Sequence, residues 1–277
     1  MPGVRGGYVD SVPFVDVEGV NLHYVDVGVG DPPVMLLHAF PLHSDMWAPQ
    51  VACLAANHRV VVPDLKGFGK SSAPDDAGSY SMGDYVRQVL ALARVLHLEG
   101  IVLGGLSMGG YVAFSLVARH LDLLAGLVLA DTRAGKDTPE VFQRRTDQQD
   151  QVRREGTDAL VETLLGGLLA PDTLENRPLL VEQVRRIMSS NPPAGFIGGL
   201  EAMKGRADSL PTLGAVKVPT LVLVGEHDGP SPPDVVRVWQ QRIPESELVV
   251  IPGAGHLSNL EDPDTFNTAL TDFLDRL

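Results

Sequence analysis

Short apolar runs and longer amphipathic stretches take turns along most of the chain. Val12 to Val17 and Asn21 to Val27 alternate apolar and polar positions around Glu18-Gly19, a turn signal, and predict an antiparallel hairpin. Apolar runs follow at Pro33–Leu37, His58–Pro63, Ile101–Leu103, Leu124–Ala130, Pro219–Gly225 and Glu247–Ile251. Each has strand length, and an apolar run of that length fits an interior strand of a covered sheet. Helical spacing fills the gaps: about Met46 to Ala56 behind a capping Ser44, Ser81 or Asp84 to Leu98, Tyr111 to His120, Pro233 to Arg242 and Pro263 to Leu277. Strand and helix in alternation predict an α/β fold, a mostly parallel sheet with helices on both faces.

The rhythm breaks once. Between Ala134 and Leu210 no β-rich run occurs. Helical stretches cover Pro139–Glu155, Asp158–Leu169, Arg177–Ser190 and Ala194–Lys204, with Leu160, Leu164 and Leu168 on one stripe. The expected organisation is therefore a core made of residues 1–133 and 211–277 with a helical cap, residues 134–210, inserted between its two parts.

Composition narrows the partners. The chain of 277 residues has a formal net charge of −13 and no run of lysine and arginine, which disfavours nucleic acid and anionic membrane surfaces. Met1 to Asp10 has no long apolar core and no segment approaches bilayer-spanning length, so a cytoplasmic protein is expected. The single cysteine, Cys53, excludes an internal disulfide. Its place in the apolar series Val51, Leu54, Ala55 predicts a buried, inert thiol.

The candidate chemistry centres on Gly105-Leu106-Ser107-Met108-Gly109, between the strand from Ile101 and the helix from Tyr111. A strand running straight into a helix needs a tight turn. Glycines two before and two after the serine make room for it, so Ser107 is pushed out at a helix start, where unpaired N–H groups favour negative charge. In an open parallel sheet, ligands bind beyond the carboxyl ends of the strands. The polar residues just after the apolar runs are His38, Asp64, Ser107, Asp131, Glu226, Asp228 and His256. A serine hydroxyl becomes a nucleophile when an imidazole takes its proton, and a buried carboxylate fixes that imidazole's tautomer. His256, in the loop Pro252-Gly253-Ala254-Gly255-His256, is the candidate base. Asp228 is the candidate acid, with Asp131 and Glu226 as rivals. The N–H groups of Met108 and Phe40 are the candidate oxyanion donors. His38 is expected to hold its loop by hydrogen bonds, and His23, His58, His97 and His120 to pack, cap or face solvent.

Two other patterns fail. Gly67-Phe68-Gly69-Lys70-Ser71 ends like a phosphate-binding loop, but position 64, where the pattern needs glycine, is aspartate. The His, Asp and Glu residues lack close pairs such as His-x-x-x-His, so no metal is expected.

Across essentially its whole length the chain resembles the α/β-hydrolase superfamily. The resemblance is carried by Leu36-Leu37-His38-Ala39-Phe40-Pro41, Asp64-Leu65-Lys66-Gly67-Phe68-Gly69-Lys70-Ser71, Gly105-Leu106-Ser107-Met108-Gly109-Gly110, Gly225-Glu226-His227-Asp228 and Gly253-Ala254-Gly255-His256. Within it, the chain is similar to small bacterial carboxylesterases and to 3-oxoadipate enol-lactonase-like hydrolases. The resemblance implies an eight-stranded sheet, a cap after the sixth strand, no cofactor and a covalent acyl-enzyme. It matches Ser107 to the nucleophile, Asp228 to the acid, His256 to the base, and Phe40 and Met108 to the oxyanion donors. One position departs: the family usually has glycine where this chain has Ala39. If that position needs positive φ, alanine costs about 1 kcal/mol there.

Candidates for the substrate pocket are Phe142, Leu164, Leu168, Phe196 and Met203, each with packing of the cap against the core as the favoured alternative. Few aromatics and an apolar cap point to a small, uncharged acyl ester of short to medium chain length. A lactone or enol-lactone hydrolase, the latter wanting a cationic residue in the pocket, and a cofactor-free perhydrolase are the enzymatic alternatives. A receptor for a small apolar ligand, with slow or no turnover, is the alternative of another class. The sequence sets no oligomeric state.

Overall fold

The apolar runs become strands in the computed structural model, which describes residues 13–277. Those strands are β1 (Phe14–Val17), β2 (Val20–Val27), β3 (Val34–Leu37), β4 (Val60–Pro63), β5 (Ile101–Leu106), β6 (Leu124–Ala130), β7 (Thr220–Gly225) and β8 (Ser246–Ile251). They form one eight-stranded sheet in the order β1-β2-β4-β3-β5-β6-β7-β8. The β1–β2 and β2–β4 pairs are antiparallel and the rest are parallel. Residues of β3 to β7, apolar but for Thr220 at the start of β7, are buried along almost their whole length, because helices flank the sheet. Val12 and the Met1–Asp10 stretch lie outside the described residues.

The helices before β6 are α1 (Ala48–Leu54), α2 (Met82–Val95) and α3 (Met108–Val117). Pro49 sets the start of α1, and Ser44 to Trp47 form a separate 3-10 turn, so the helix is shorter than its apolar pattern. Ser81 is the cap of α2: its Oγ accepts the Asp84 N–H at 3.1 Å. Cys53 corrects the sequence reading, because it is exposed. Leu54 takes the inward position on α1, and one residue earlier on a helix lies about 100° away, toward solvent.

Between β6 and β7 the described residues hold helices and no strand: α4 (Pro139–Glu155), α5 (Asp158–Leu168), α6 (Pro171–Asn176), α7 (Pro178–Ser189) and α8 (Pro193–Lys204). α9 (Pro233–Gln240), α10 (Ser258–Glu261) and α11 (Pro263–Leu274) complete the chain. No helix among the described residues is long and apolar enough to cross a membrane.

The strand order places the chemistry. The sheet winds outward in two directions from β3, with β4 on one side and β5 on the other. Leu37 at the end of β3 pairs with Gly105 of β5, and Leu106 pairs with Ala130 of β6. The loop holding Phe40 therefore lies beside Ser107, at the switch point where open α/β sheets leave a crevice.

Candidate active site

β5 ends at Leu106 and α3 begins at Met108, so the whole turn is one residue, Ser107. Its backbone stands at φ 53° and ψ −109°, where a residue with a side chain stays only under constraint. The Ser107 N–H donates to the Ala130 carbonyl at 2.9 Å, and Thr132 Oγ1 donates to the Ser107 carbonyl at 2.8 Å. A Cβ on Gly105 would lie 2.3 Å from the Gly109 carbonyl carbon, and one on Gly109 would lie 2.2 Å from the Leu37 carbonyl oxygen. Only glycine fits at either place.

The structure brings Ser107, His256 and Asp228 into one line, and all three are buried. Ser107 Oγ donates to His256 Nε2 at 2.8 Å. His256 Nδ1 donates to Asp228 at 2.8 and 2.9 Å, one distance to each carboxylate oxygen. A carboxylate facing Nδ1 keeps the proton there and leaves Nε2 as the acceptor. The loops carrying Asp228 and His256 are tied together: the Glu226 N–H donates to the Ile251 carbonyl at 2.9 Å and the His227 N–H to the Ala254 carbonyl at 2.8 Å.

The rival acids sit elsewhere. Glu226 turns toward solvent and accepts the Gly253 N–H at 2.9 Å. Asp131 is fully buried, accepting the Gly225 N–H at 2.8 Å and the Ser258 hydroxyl at 2.5 Å. Burial, and then the negative charge of Asp228, push the Asp131 carboxyl well above the usual carboxylate range. It clamps the ends of β6 and β7 to the segment after His256.

Neither the Phe40 N–H nor the Met108 N–H donates to another group among the described residues. Both stand at the crevice beside Ser107. Among the described residues, those with a side chain at positive φ are Glu18, His97, Ser107 and Asp131. Ala39 is not among them, so the strain expected of alanine there does not arise.

His38 holds this loop. Its Nδ1 donates to the Ala39 carbonyl at 2.9 Å and its Nε2 accepts the Leu65 N–H at 3.0 Å. Burial lowers its pKa to about 4. The sign follows from linkage: unfolded chains take up this proton near pH 6.5, the folded protein only near 4, so folding loses stability as pH falls between the two. The loss is on the order of 3 kcal/mol. Urea midpoints compared from pH 7 to 4 should fall more steeply, or rise less, in the wild type than in His38→Gln, which keeps an acceptor for Leu65 and lacks this proton uptake. An unchanged slope would assign the loss to other groups.

A cavity of about 510 Å³ opens on Ser107 and His256. Leu164, Leu168 and Met203 line it, with Phe40 and Tyr111. Phe142 and Phe196 do not. The face of α4 turned to the cavity carries Val141, Arg144, Arg145 and Gln148, at helical spacing i, i+3, i+4 and i+7. Phe142, one position on, points away and is 47% exposed, with the Lys204 ammonium 5.1 Å from its ring centre. Phe196 is fully buried with its ring edge to face against Phe40 at 5.7 Å.

Charge is the feature that the apolar reading of the pocket missed. Arg133, Arg144 and Arg145 line the cavity with Asp137. Asp137 is held by Arg145 at 2.6 Å and by Arg206 at 2.8 Å. Burial works against its ionised form, but these two guanidiniums hold its carboxyl below the usual range. Arg206 also lies 4.1 Å over the Tyr111 ring. Arg133 and Arg144 have no carboxylate within 4.0 Å among the described residues. Their guanidiniums are the cationic side chains of the cavity left without an acid. The spacing Val141, Arg144, Arg145, Gln148 was the available signal, but without a known inward face it reads as solvated surface.

No group of three or more His, Cys, Asp and Glu able to hold a metal ion occurs among the described residues.

The model for the alpha/beta hydrolase fold family matches residues 32–263, and the chain belongs to that family. Among solved structures it is similar to a thermophilic esterase from Thermogutta terrifontis, 39% identical with a TM-score of 0.90, covering 96% of this chain and 97% of that one. It is likewise similar to the enol-lactonase from Burkholderia xenovorans LB400, 33% identical with a TM-score of 0.87, covering 95% and 100%. A curated relative is 3-oxoadipate enol-lactonase 2 of Acinetobacter baylyi, 27% identical over 91% of this chain and 92% of its own length. These relatives are hydrolases, and so is this protein by family.

Proposed function

We propose that the protein is a serine hydrolase that cleaves carboxylic esters through an acyl-enzyme. The observation that carries this reading is the hydrogen-bonded line Asp228–His256–Ser107 beside two N–H groups with no acceptor among the described residues. Ser107 Oγ attacks the ester carbonyl while His256 Nε2 takes its proton. The tetrahedral oxygen, now negative, is met by the Phe40 and Met108 N–H groups. His256 returns the proton to the departing alcohol oxygen, leaving an ester on Ser107. Water then repeats the sequence with the same base and releases the acid. Asp228 holds the Nδ1 proton and stabilises the imidazolium. The helix start at Met108 adds its dipole to the oxyanion site.

The test is hydrolysis of a panel of 4-nitrophenyl esters and simple lactones by the wild type. Saturable release of acid from at least one ester class is the expected result. No turnover of any member, with stoichiometric binding of an apolar ligand in its place, would favour the receptor reading.

A second reading concerns which ester or lactone. Arg133 and Arg144, with no acid partner among the described residues, in a protein of net charge −13, favour a substrate carrying a carboxylate over the uncharged ester expected from the sequence. The similar esterase was solved with malate bound and a second relative acts on an enol-lactone, as their names state. A charge-assisted hydrogen bond contributes about 1.5–3 kcal/mol. Arg133→Gln should therefore lower the kcat/KM ratio of 4-nitrophenyl hydrogen glutarate to 4-nitrophenyl valerate by roughly 10–100-fold. A ratio unmoved by that substitution, and by Arg144→Gln, would return the pocket to neutral esters.

A further inference from the structure

We propose that Glu261 is a positioning residue that ties the segment bearing His256 to the wall of the cavity and so keeps the imidazole in register with Ser107. The proposal rests on the serine hydrolase reading and adds to it a residue from outside the Ser107, His256 and Asp228 set.

Glu261 ends α10, five residues after His256, and is buried. Its two carboxylate oxygens serve two different stretches of chain. Oε1 accepts the Gly255 N–H at 2.8 Å, and Oε2 accepts the Ala170 N–H at 2.8 Å. Gly255 directly precedes the histidine. Ala170 stands two residues past Leu168, the end of α5, whose Leu164 and Leu168 face the cavity. The His256 N–H donates to the Leu168 carbonyl at 2.9 Å. The two stretches touch through their main chains: a Cβ on Gly255 would lie 2.5 Å from Ala170 N and 2.8 Å from the Leu169 carbonyl carbon. Arg177, between α6 and α7, donates its guanidinium to the Glu261 main-chain carbonyl and not to its carboxylate.

The buried carboxylate has no side-chain cation within 4.0 Å among the described residues, and the two main-chain N–H groups that converge on it are its partners. An apolar residue could fill the space, but it would leave both N–H groups unpaired and the histidine loop held to α5 by the His256–Leu168 bond alone. The loop is rich in glycine, Gly253 and Gly255, and has little stiffness of its own. The Ser107–His256 contact at 2.8 Å tolerates little drift, since an error of about 1 Å in a reacting group costs on the order of 10²-fold in rate.

Glu261→Gln is the test. Its amide keeps one acceptor and turns an NH₂ group toward a donor, cutting one of the two links. Rates are expressed per serine titrated with a fluorophosphonate, so loss of folded protein is divided out. The expected pattern is a fall in kcat of about 10–100-fold, with KM within about threefold and fluorophosphonate labelling of Ser107 slowed in parallel. Hydrogen exchange should quicken together in the stretches 168–170 and 253–257. If Glu261→Gln fails to fold, Glu261→Asp, which keeps the charge but is one methylene too short to reach both donors, should show the same pattern. Wild-type kcat per titrated serine, a change in KM alone, or unaltered exchange in either stretch would overturn the proposal. A wild type that neither turns over esters nor labels would count against the hydrolase reading, while the exchange measurement would still decide whether Glu261 joins the two stretches.

Discussion

Ser107→Ala is expected to lower kcat by about 10⁴-fold or more while leaving the fold in place. The hydroxyl is the atom that would carry the acyl group, and no cysteine or second serine stands within reach of His256 Nε2 in the described hydrogen-bond network. Removing one oxygen from a turn held by the Ala130 and Thr132 contacts leaves those main-chain bonds untouched. The fold should therefore survive, as thermal unfolding would show. Alanine must still occupy the backbone conformation that serine does at φ 53°, so a decrease of a few degrees in Tm is compatible with this. Turnover within tenfold of the wild type would remove Ser107 from the chemistry.

The second large effect separates two aspartates that stand at the ends of neighbouring strands. Asp228→Asn should lower kcat by roughly 10³–10⁴-fold, because an amide facing His256 Nδ1 no longer secures the proton there and the wrong tautomer presents N–H to the serine. Asp131→Asn should cost less than about tenfold, since asparagine retains an oxygen for the Gly225 N–H and an amide for the Ser258 hydroxyl. Stability should move the other way. With its folded pKa raised by burial and by Asp228, Asp131 favours folding when protonated and opposes it once the pH rises above the ordinary carboxylate range. At pH 7 the asparagine variant should therefore melt higher than the wild type, and the two should converge as pH falls below about 4. Equal losses of kcat in the two variants would contradict this division of labour.

The features that could be read from the chain were those with a local cause. The parallel strands show as apolar runs because both of their faces are covered, and Gly105-x-Ser107-x-Gly109 is legible because two close main-chain approaches exclude any side chain. His38 was legible as a holding residue from its place after β3. What needed coordinates was orientation and distance in space. Cys53 and Phe142 each lie one helical position from the inward face, and nothing nearby in sequence marks that face. Phe196 lies on a helix that the sequence spacing predicts, but it packs under Phe40 and not against the cavity. Asp137 and Arg145 lie eight residues apart, but Arg206 comes from a separate stretch after α8, so the three-way pairing, and the isolation of Arg133 and Arg144 beside it, is a tertiary fact. α10 is four residues long, too short to carry a period, and so Glu261 gave no sign of its role.

The most direct measurement is to catch the acyl group. The wild type mixed with excess 4-nitrophenyl acetate and quenched in acid within one turnover should yield a peptide containing Ser107 heavier by one acetyl group, and Asp228→Asn should accumulate far less of it in the same interval. Fast ester hydrolysis with Ser107 unmodified at every quench time, or the acetyl group residing on another residue, would show that this hydroxyl does not attack the ester.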